Sequence, residues 1–427
     1  MSKPRMSRQP ADIRIDDLAK PRFPAGFEEQ IRAIAPMAAA LVFEPAALID
    51  LARAKTGLDD FGPSGWETGL EVVMRAMREG PELSPLGKIS SHGLCTSFLE
   101  NRLRLEDLIK RHPEILDVKL EAPIVIAGLP RSGTTHLHNL FGADPRLRSL
   151  PWWEALEPVL AESERPAPGQ TDPRWTRAAA GIEVRNQVLP HFDAMHEMTV
   201  DHVHEEIQLL SMDFGTMFFE NIGIGGSPIY RDYYLGEDQT PHYRYLRRIL
   251  QALSWLRGPR RWILKSPQHL EQFGTLMKVF PDATVVVTHR DPVPTVASFS
   301  TMISYTTRMS AAKPDPVFLG HHWADRIETM LRICTRDRDL LPADRSIDVL
   351  FHEYMGSELE TVKKIYALAG MFFDAETKRR IDDYNTTHPR GRFGRVVYDL
   401  ADFKLDGREL RERFRFYTDR FPVRLES

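Results

Sequence analysis

Short apolar runs that end at polar or glycine-rich corners recur along the chain. The runs at 123–127, 261–264, 284–288 and 347–351 read PIVIA, RWIL, TVVVT and IDVLF. Continuous apolar runs of this length, rich in Val and Ile, are typical of strands that are buried on both faces of a parallel sheet. Segments of helical character follow these runs, so strands alternate with helices. The pattern predicts a three-layer α/β fold, in which a parallel sheet is flanked by helices.

The rest of the chain is organised around this predicted sheet. Residues 1–116 form an N-terminal arm and a helical cap, in which the helix at 98–116 has the clearest periodicity. Residues 117–427 form the α/β domain. Two long stretches, at about 155–255 and 305–342, interrupt the alternation of strands and helices and are predicted to be helical or substrate-binding insertions.

Composition narrows the class of protein. The chain has 427 residues, of which 42% are hydrophobic, and a formal net charge of -4. This charge argues against nucleic acid as the main partner. The two cysteines imply no disulfide framework, no run of eighteen apolar residues occurs, and the basic N-terminus lacks the apolar core of a signal peptide. We expect a cytoplasmic protein without stable membrane insertion, and a homo-oligomer is compatible with the sequence.

The run at 123–127 leads into GLPRSGTT, Gly128–Thr135, which resembles a phosphate-binding P-loop with one substitution. Thr134 stands where the P-loop of a nucleotide triphosphatase has its lysine. Backbone N–H groups of such a loop converge on one point, and the following helix adds the positive end of its dipole. Arg131 is the cation within the loop, and its planar fork can hold two oxygens of one anion. The residues predicted to bind the phosphate are Arg131, Ser132, Gly133, Thr134, Thr135 and His136.

The loop is similar to that of the sulfotransferase family, which reads xPKSGTT or xPRSGTT and binds 3′-phosphoadenosine 5′-phosphosulfate (PAPS). The resemblance implies a P-loop-like fold of the bacterial type, with a loop similar to that of protein-tyrosine sulfotransferases. It implies PAPS as the co-substrate, adenosine 3′,5′-bisphosphate as the product and no metal.

Two further motifs extend the resemblance. Arg290 follows the run at 284–288, and Ser298 lies eight residues later. In the family, an Arg and a Ser at this spacing bind the 3′-phosphate, whereas in an unrelated α/β protein Arg290 would only pair with an Asp at a helix start. Lys265 ends the run at 261–264 and resembles the lysine that contacts the sulfuryl oxygens. With Arg131, it is predicted to stabilise the transferred group.

The general base has three candidates. Glu154 resembles the glutamate that the protein-tyrosine branch of the family places after its first helix, and it is the first choice. His269 is the second choice, although the family's cytosolic branch has K-x-H where this chain has K-x-x-x-H. His196 is the third, and it lies near Glu205 and Glu206 in the sequence. We predict that His196 and Glu206 line the acceptor pocket.

A metal site at His202 and His204 is the alternative use of the histidines. Two residues apart, they chelate a metal together on a strand but point apart on a helix, which the acidic, Leu-rich segment around them favours. No metal site is therefore predicted.

The resemblance assigns three more residues. Tyr354 stands where the family has a tyrosine against the adenine, and its alternative role is to pack a strand against the next helix. Arg390 and Arg392, in HPRGRFGR, resemble the family's late basic segment that closes over the 3′-phosphate, and their alternative role is as surface charges.

The acceptor is predicted from the stretch at 209–226, LLSMDFGTMFFENIGIGG. Its Met and aromatic side chains are of the kind that line lipophilic pockets, so we expect a small lipophilic hydroxyl compound. Two other function classes stay open. A small-molecule or nucleotide kinase would use the same fold with a loop lysine and Mg²⁺, and a non-catalytic module would keep the loops without a base.

Overall fold

The structure is a computed structural model that describes residues 12–223 and 225–426. Residues 1–11 of the predicted arm and Ile224 of the predicted acceptor stretch lie outside the described residues. The strands, in chain order, are β1 Asp12–Arg14, β2 Ile124–Gly128, β3 Leu147–Arg148, β4 Leu150–Pro151, β5 Val203–His204, β6 Arg261–Lys265, β7 Thr284–His289, β8 Ser346–Leu350 and β9 Arg395–Val397.

Helices surround these strands. The α-helices are α1 Phe27–Ala39, α2 Pro45–Thr56, α3 Trp66–Glu79, α4 Pro85–Arg111, α5 Thr134–Gly142, α6 Trp152–Leu156, α7 Pro173–Val188, α8 Phe192–Met195, α9 Ile207–Leu210, α10 Phe218–Asn221, α11 Pro228–Gly236, α12 Thr240–Arg257, α13 Phe273–Val279, α14 Pro292–Thr307, α15 Pro316–Asp337, α16 Phe351–Gly356, α17 Glu358–Leu368, α18 Ala375–Thr387, α19 Gly407–Arg413 and α20 Arg415–Arg420. Short 3-10 helices span Pro113–Asp117, Glu162–Glu164, Ser211–Asp213, Pro267–Glu271, Arg338–Leu340 and Leu400–Phe403.

The central sheet is parallel and has the order β3-β6-β2-β7-β8. The predicted α/β fold with a parallel sheet between helices is therefore confirmed. In the register, Ile126 of β2 lies opposite Lys265 of β6, and Gly128 lies opposite Thr288 of β7. The loop after β2, the end of β6 and the end of β7 consequently lie at the same edge of the sheet, where ligands of doubly wound folds bind.

Alternate residues of the sheet belong to two separate cores. Val125 and Val287 pack into the larger one, with residues of α4, α12 and α15. Ile126 and Val286 pack into the second one, with residues of α5 and α17. Because helices cover both faces of the sheet, its strands are apolar without alternation, and this gives them a distinctive sequence pattern.

The N-terminal helices differ in detail from the sequence prediction. The helix predicted at 98–116 is part of α4, which begins at Pro85 and ends at Arg111. Pro113 cannot continue an α-helix, and a 3-10 helix follows instead. α1 and α2 pack on α4. Within residues 12–223 and 225–426, no helix combines the length and the apolar character that crossing a membrane requires.

A buried ion-pair network joins α15 to the segment after β6. The Arg326 side chain is fully buried and donates from Nε to Glu220 Oε2 at 2.8 Å and from Nη2 to Glu271 Oε2 at 2.6 Å. Glu271 ends the 3-10 helix Pro267–Glu271, which begins two residues after Lys265. One arginine therefore compensates two buried carboxylates and fixes the turn beyond the lysine.

Replacing this arginine tests the network. Arg326→Met leaves two carboxylates buried without their cation, so we expect the free energy of unfolding to fall by ~3–5 kcal/mol in urea denaturation. The matched control is Arg336→Met on the same helix, since Arg336 is exposed and pairs only with the neighbouring Asp337. That variant should lose less than ~1 kcal/mol. Equal losses in the two variants would contradict the role given to Arg326.

Candidate active site

The loop between β2 and α5 is shaped by two glycines. A Cβ on Gly128 would lie 1.9 Å from Thr288 Oγ1, so only glycine fits there. Gly133 has φ +86° and precedes the first residue of α5. Ser132 Oγ donates to the Leu129 carbonyl at 2.6 Å and so closes the loop on itself. The amides at the start of α5 are left without partners inside the helix, which is the arrangement that binds phosphate.

Arg131 also has a left-handed backbone, with φ +68°. This conformation costs a non-glycine residue about 1–2 kcal/mol, and such strained residues cluster at functional sites. Its guanidinium donates from Nε to Ser298 Oγ at 2.9 Å and from Nη2 to Tyr398 Oη at 3.0 Å, and it also bonds the Met195 carbonyl. The side chain of Arg131 therefore points toward Ser298.

A cavity of about 690 Å³ opens beside the loop. Both cationic and apolar side chains line it. The cationic residues that line it are Arg131, Lys265, Arg290, Arg390 and Arg392, and the apolar wall includes Met195, Met217, Phe218, Phe299, Met302 and Ile303. The cavity thus offers an anion site next to an apolar site.

Lys265 lines the cavity beside the start of α5. It is 3% exposed, and its Nζ donates to Thr135 Oγ1 at 3.3 Å and to the carboxylate of Glu205. Glu205 lines the same cavity. A lysine and a carboxylate therefore lie together at the mouth of the phosphate loop.

Glu206 faces away from this cavity. One carboxylate oxygen accepts from the backbone N–H of Lys265 at 2.8 Å, and the other bonds His269 Nε2. His269 Nδ1 lies 2.7 Å from Tyr243 Oη. Although burial opposes ionisation of Glu206, the hydrogen bond from His269 holds the pKa of that carboxyl below its ordinary value. The chain Glu206–His269–Tyr243 is buried and does not line the cavity.

Glu154, the first choice for the base, is also outside the cavity lining. It is 1% exposed, its Oε1 accepts from Arg257 Nε at 2.9 Å, and its other oxygen pairs with Arg148. Both carboxylate oxygens are held by arginines. Of the three candidates for the base, only His196 lines the cavity.

Burial disfavours the charged form of three histidines that line the cavity, His196, His202 and His204. His202 and His204 flank Val203 at β5, which pairs with β4, so the helix expected here is wrong. The acidic pair Glu205-Glu206 follows the strand rather than extending a helix. Burial lowers the pKa of His196 to about 3 and the pKa of His202 and His204 well below the ordinary value, and the charge of Lys265 contributes to each shift. Among the described residues, no cluster of three or more His, Cys, Asp or Glu side chains has the geometry to hold a metal ion.

Arg290 lies just beyond the carboxyl end of β7. Nε and Nη2 donate to the two carboxylate oxygens of Glu426, each at 2.7 Å, and Nη1 donates to the Arg131 carbonyl at 2.6 Å. Its guanidinium carbon lies 4.1 Å from the centre of the Phe351 ring. Arg290 and Ser298 meet through Arg131, whose backbone contacts one and whose side chain contacts the other.

The late basic segment borders the cavity. Arg390 pairs with Glu358, and Arg392 pairs with Glu197. Glu358 also lies 3.1 Å from His136 Nε2, and burial lowers the pKa of His136.

Tyr354 is 1% exposed and packs in the core beneath α5 and α17. It does not line the cavity, whereas its neighbour Phe351 does.

Three residues of this site escaped sequence reasoning. The sequence pattern marks Glu205 only as a neighbour of His196. Tyr398 and Glu426 approach Arg131 and Arg290 from far along the chain. No local signal marks such long-range partners, although the acidic pair after a short His-x-His strand could have indicated Glu205.

Comparisons with known proteins agree on one family. The sequence model described as the sulfotransferase family matches residues 123–375. Sulfotransferase STF1 from Mycobacterium tuberculosis H37Rv has 30% identity and a TM-score of 0.75, over 86% of this chain and 97% of that chain. Sulfotransferase STF9 from Mycobacterium avium has 27% identity and a TM-score of 0.79, over 91% and 99%. The omega-hydroxy-beta-dihydromenaquinone-9 sulfotransferase Stf3 of Mycobacterium tuberculosis (strain CDC 1551 / Oshkosh) is 24% identical over 70% of this chain and 72% of that protein.

The buried histidines predict a pH-dependent stability. They stay neutral in the folded protein, but in the unfolded chain they bind protons once the pH falls below about 6.5. Their contribution to stability is fully present above that pH and is lost progressively as the pH falls from about 6.5 toward the lowered pKa values of the folded protein, which is about 3 for His196. His204→Phe removes one group that binds a proton on unfolding. In urea denaturation, we therefore expect the slope of the unfolding free energy against pH to fall by ~1.4 kcal/mol per pH unit. Phe keeps a ring against Trp152, whose centre lies 4.3 Å from that of His204.

The matched control is His321→Gln, because His321 is exposed. It should leave the slope between pH 7 and pH 5 unchanged. A slope that is the same in the unmodified protein, His204→Phe and the control would show that the buried histidines do not cause the effect.

Proposed function

The chain belongs to the sulfotransferase family, and from this membership we propose that it transfers the sulfuryl group of PAPS to a hydroxyl of a small lipophilic acceptor by in-line displacement. The observation that carries the proposal is the meeting of the lysine-free phosphate loop, Lys265 and an apolar wall in one cavity. A single cavity with these three features can hold an anionic donor against an apolar acceptor.

The loop Gly128–Thr135 and the start of α5 would bind the 5′-phosphosulfate through backbone amides. Arg290 and the guanidinium of Arg131 line the cavity and would bind the 3′-phosphate, so we move Arg131 from the transferred group, where the sequence predicts it. Ser298 does not line the cavity and would act through its hydrogen bond from Arg131. Arg390 and Arg392 lie at the cavity rim and add positive charge. Such a constellation favours a donor with phosphates at two positions of its ribose.

Lys265 is suited to stabilise the transferred group. Its Nζ contacts Thr135 at the first turn of α5, so it lies where the loop would present the sulfuryl oxygens. In the transition state, charge accumulates on those oxygens and on the bridging oxygen to the departing phosphate. A buried, fixed ammonium group stabilises that charge without reorganising water.

We assign the proton transfer to Glu205. The acceptor oxygen forms a bond to sulfur, the bond from sulfur to the bridging oxygen breaks, and the hydroxyl proton passes to the Glu205 carboxylate. The products are a sulfate ester and adenosine 3′,5′-bisphosphate. The geometry favours Glu205 over Glu154 and His269, which do not line the cavity. His196 lines it, but the low pKa that burial gives this imidazole makes it a weak proton acceptor.

The side chains that would surround the acceptor are largely apolar. Met217, Phe218, Phe299 and Met302 supply adaptable apolar surface, and the neutral histidines add hydrogen-bonding groups without charge. Stf3 is named for a hydroxylated dihydromenaquinone, which is a lipophilic alcohol. A hydroxylated lipid of comparable polarity is the acceptor class that we propose.

The donor is tested by calorimetry in EDTA. We expect the protein to bind adenosine 3′,5′-bisphosphate and to bind ADP at least about tenfold more weakly, because ADP lacks the 3′-phosphate that Arg290 and Arg131 would hold. Arg290→Lys should weaken the binding of adenosine 3′,5′-bisphosphate more than the binding of ADP. A preference for ADP, or binding that requires Mg²⁺, would overturn the proposal and favour a kinase.

The base is tested once an acceptor is found by screening hydroxylated quinones, steroids and fatty alcohols with labelled PAPS. Glu205→Gln should reduce kcat by about 10²- to 10⁴-fold and remove the acidic limb of the pH–rate profile. Affinity for adenosine 3′,5′-bisphosphate should persist, because the phosphate loop is unchanged.

The matched control is Glu154→Gln, which removes a buried carboxylate outside the cavity. It should lower Tm by disturbing Arg148 and Arg257 while leaving the pH–rate profile in place. If Glu205→Gln kept kcat within about threefold and Glu154→Gln abolished turnover in a folded protein, the assignment of the base would be reversed.

A further inference from the structure

The carboxylate of Glu426 binds the guanidinium of Arg290, although the two residues are far apart in the sequence. Both oxygens accept from the guanidinium, at 2.7 Å each, in a side-on bidentate pair through Nε and Nη2. Bidentate Arg–carboxylate pairs fix the plane of the guanidinium as well as its position. Phe351, whose ring centre lies 4.1 Å from the guanidinium carbon, restricts it from a second direction.

Glu426 is itself anchored independently of Arg290. Its backbone N–H donates to Asp291 Oδ2 at 2.6 Å, and its carbonyl accepts from Arg411 Nη2 at 2.6 Å. Asp291 is fully buried and also pairs with Arg411. The position of the carboxylate therefore does not depend on the arginine that it holds.

The carboxylate lies on the side of Arg290 away from the active-site cavity. Arg290 and Phe351 line both that cavity and a second one of about 470 Å³, whereas Glu426 lines only the second. An arginine side chain has five N–H donors, and described residues engage three of those of Arg290 through Glu426 and the Arg131 carbonyl. Two donors are left for a ligand.

We propose that Glu426 is a positioning residue that aims Arg290 at the 3′-phosphate of the donor and so sets the preference for a 3′-phosphorylated nucleotide. This inference rests on the proposed function, because it needs Arg290 to be a phosphate ligand. Glu426 does not touch the donor. It acts by holding the plane of the guanidinium, so that binding does not have to order a long side chain.

The test compares two nucleotides that differ only in the 3′-phosphate, adenosine 3′,5′-bisphosphate and AMP, by calorimetry in EDTA. Glu426→Gln should weaken the bisphosphate about tenfold, the size expected for one charge-assisted hydrogen bond, and leave AMP within about twofold. Glu426→Asp keeps the carboxylate and should recover part of the loss. In the background of Arg290→Met, Glu426→Gln should have no further effect on the bisphosphate.

The matched control is Glu412→Gln, which removes an exposed carboxylate that pairs with Arg415 on the neighbouring helix. It should change neither affinity. Equal weakening of both nucleotides by Glu426→Gln would indicate a merely structural role, and unchanged or tighter bisphosphate binding would indicate that the carboxylate competes with the ligand. Either result overturns the inference while the proposed function stands. If the unmodified protein does not prefer the bisphosphate to AMP, the inference and the proposed donor fail together.

Discussion

The close approach of two strand ends is the constraint on which the active site depends. Gly128 at the end of β2 lies so near the Thr288 hydroxyl of β7 that a side-chain carbon would stand 1.9 Å from it. This contact lets the loop fold onto the sheet and turn its amides toward one point. In the same register, Lys265 of β6 lies opposite Ile126, and Thr288 of β7 lies opposite Gly128. Arg290 follows Thr288 by two residues and therefore lies at the same edge of the sheet. The phosphate loop, the lysine and the arginine therefore depend on one alignment of three strands.

An anionic ligand that enters this cavity would have to compete with existing ion pairs. Four of the five cations that line the cavity pair with carboxylates, as Lys265–Glu205, Arg290–Glu426, Arg390–Glu358 and Arg392–Glu197. Arg131 instead contacts two hydroxyls and a carbonyl. The pairs differ in what a ligand would have to displace. The Arg390 side chain is exposed and the Arg392 side chain is partly exposed, so water screens both pairs and an incoming phosphate would replace their carboxylates at small cost. Lys265 is buried, so its ammonium is costly to leave without a partner, and in the proposed mechanism the sulfuryl oxygens would have to replace Glu205 in that role.

The parallel sheet and the strand–loop–helix turn around Gly128–Thr135 are predictable from the sequence because their signals are local. A strand buried on both faces is apolar throughout, and a loop that must approach another strand needs glycine at a fixed position, as at Gly128. The partners of each charge are set by packing between distant segments. Arg148 lies only six residues before Glu154, but nothing local reveals that Arg257 holds the other carboxylate oxygen, and nothing near Arg290 reveals Glu426. The roles assigned from motifs alone therefore stay predictions wherever a distant partner decides the geometry.

The pairing of Lys265 with Glu205 bears on the proposed chemistry in a further way. In the proposed mechanism, the ammonium that pairs with Glu205 before the reaction would turn to the sulfuryl oxygens as negative charge grows on them. The Glu205 carboxylate would then be released from the lysine at the stage when the acceptor hydroxyl must lose its proton. One lysine would thus serve both the sulfuryl group and the proposed base.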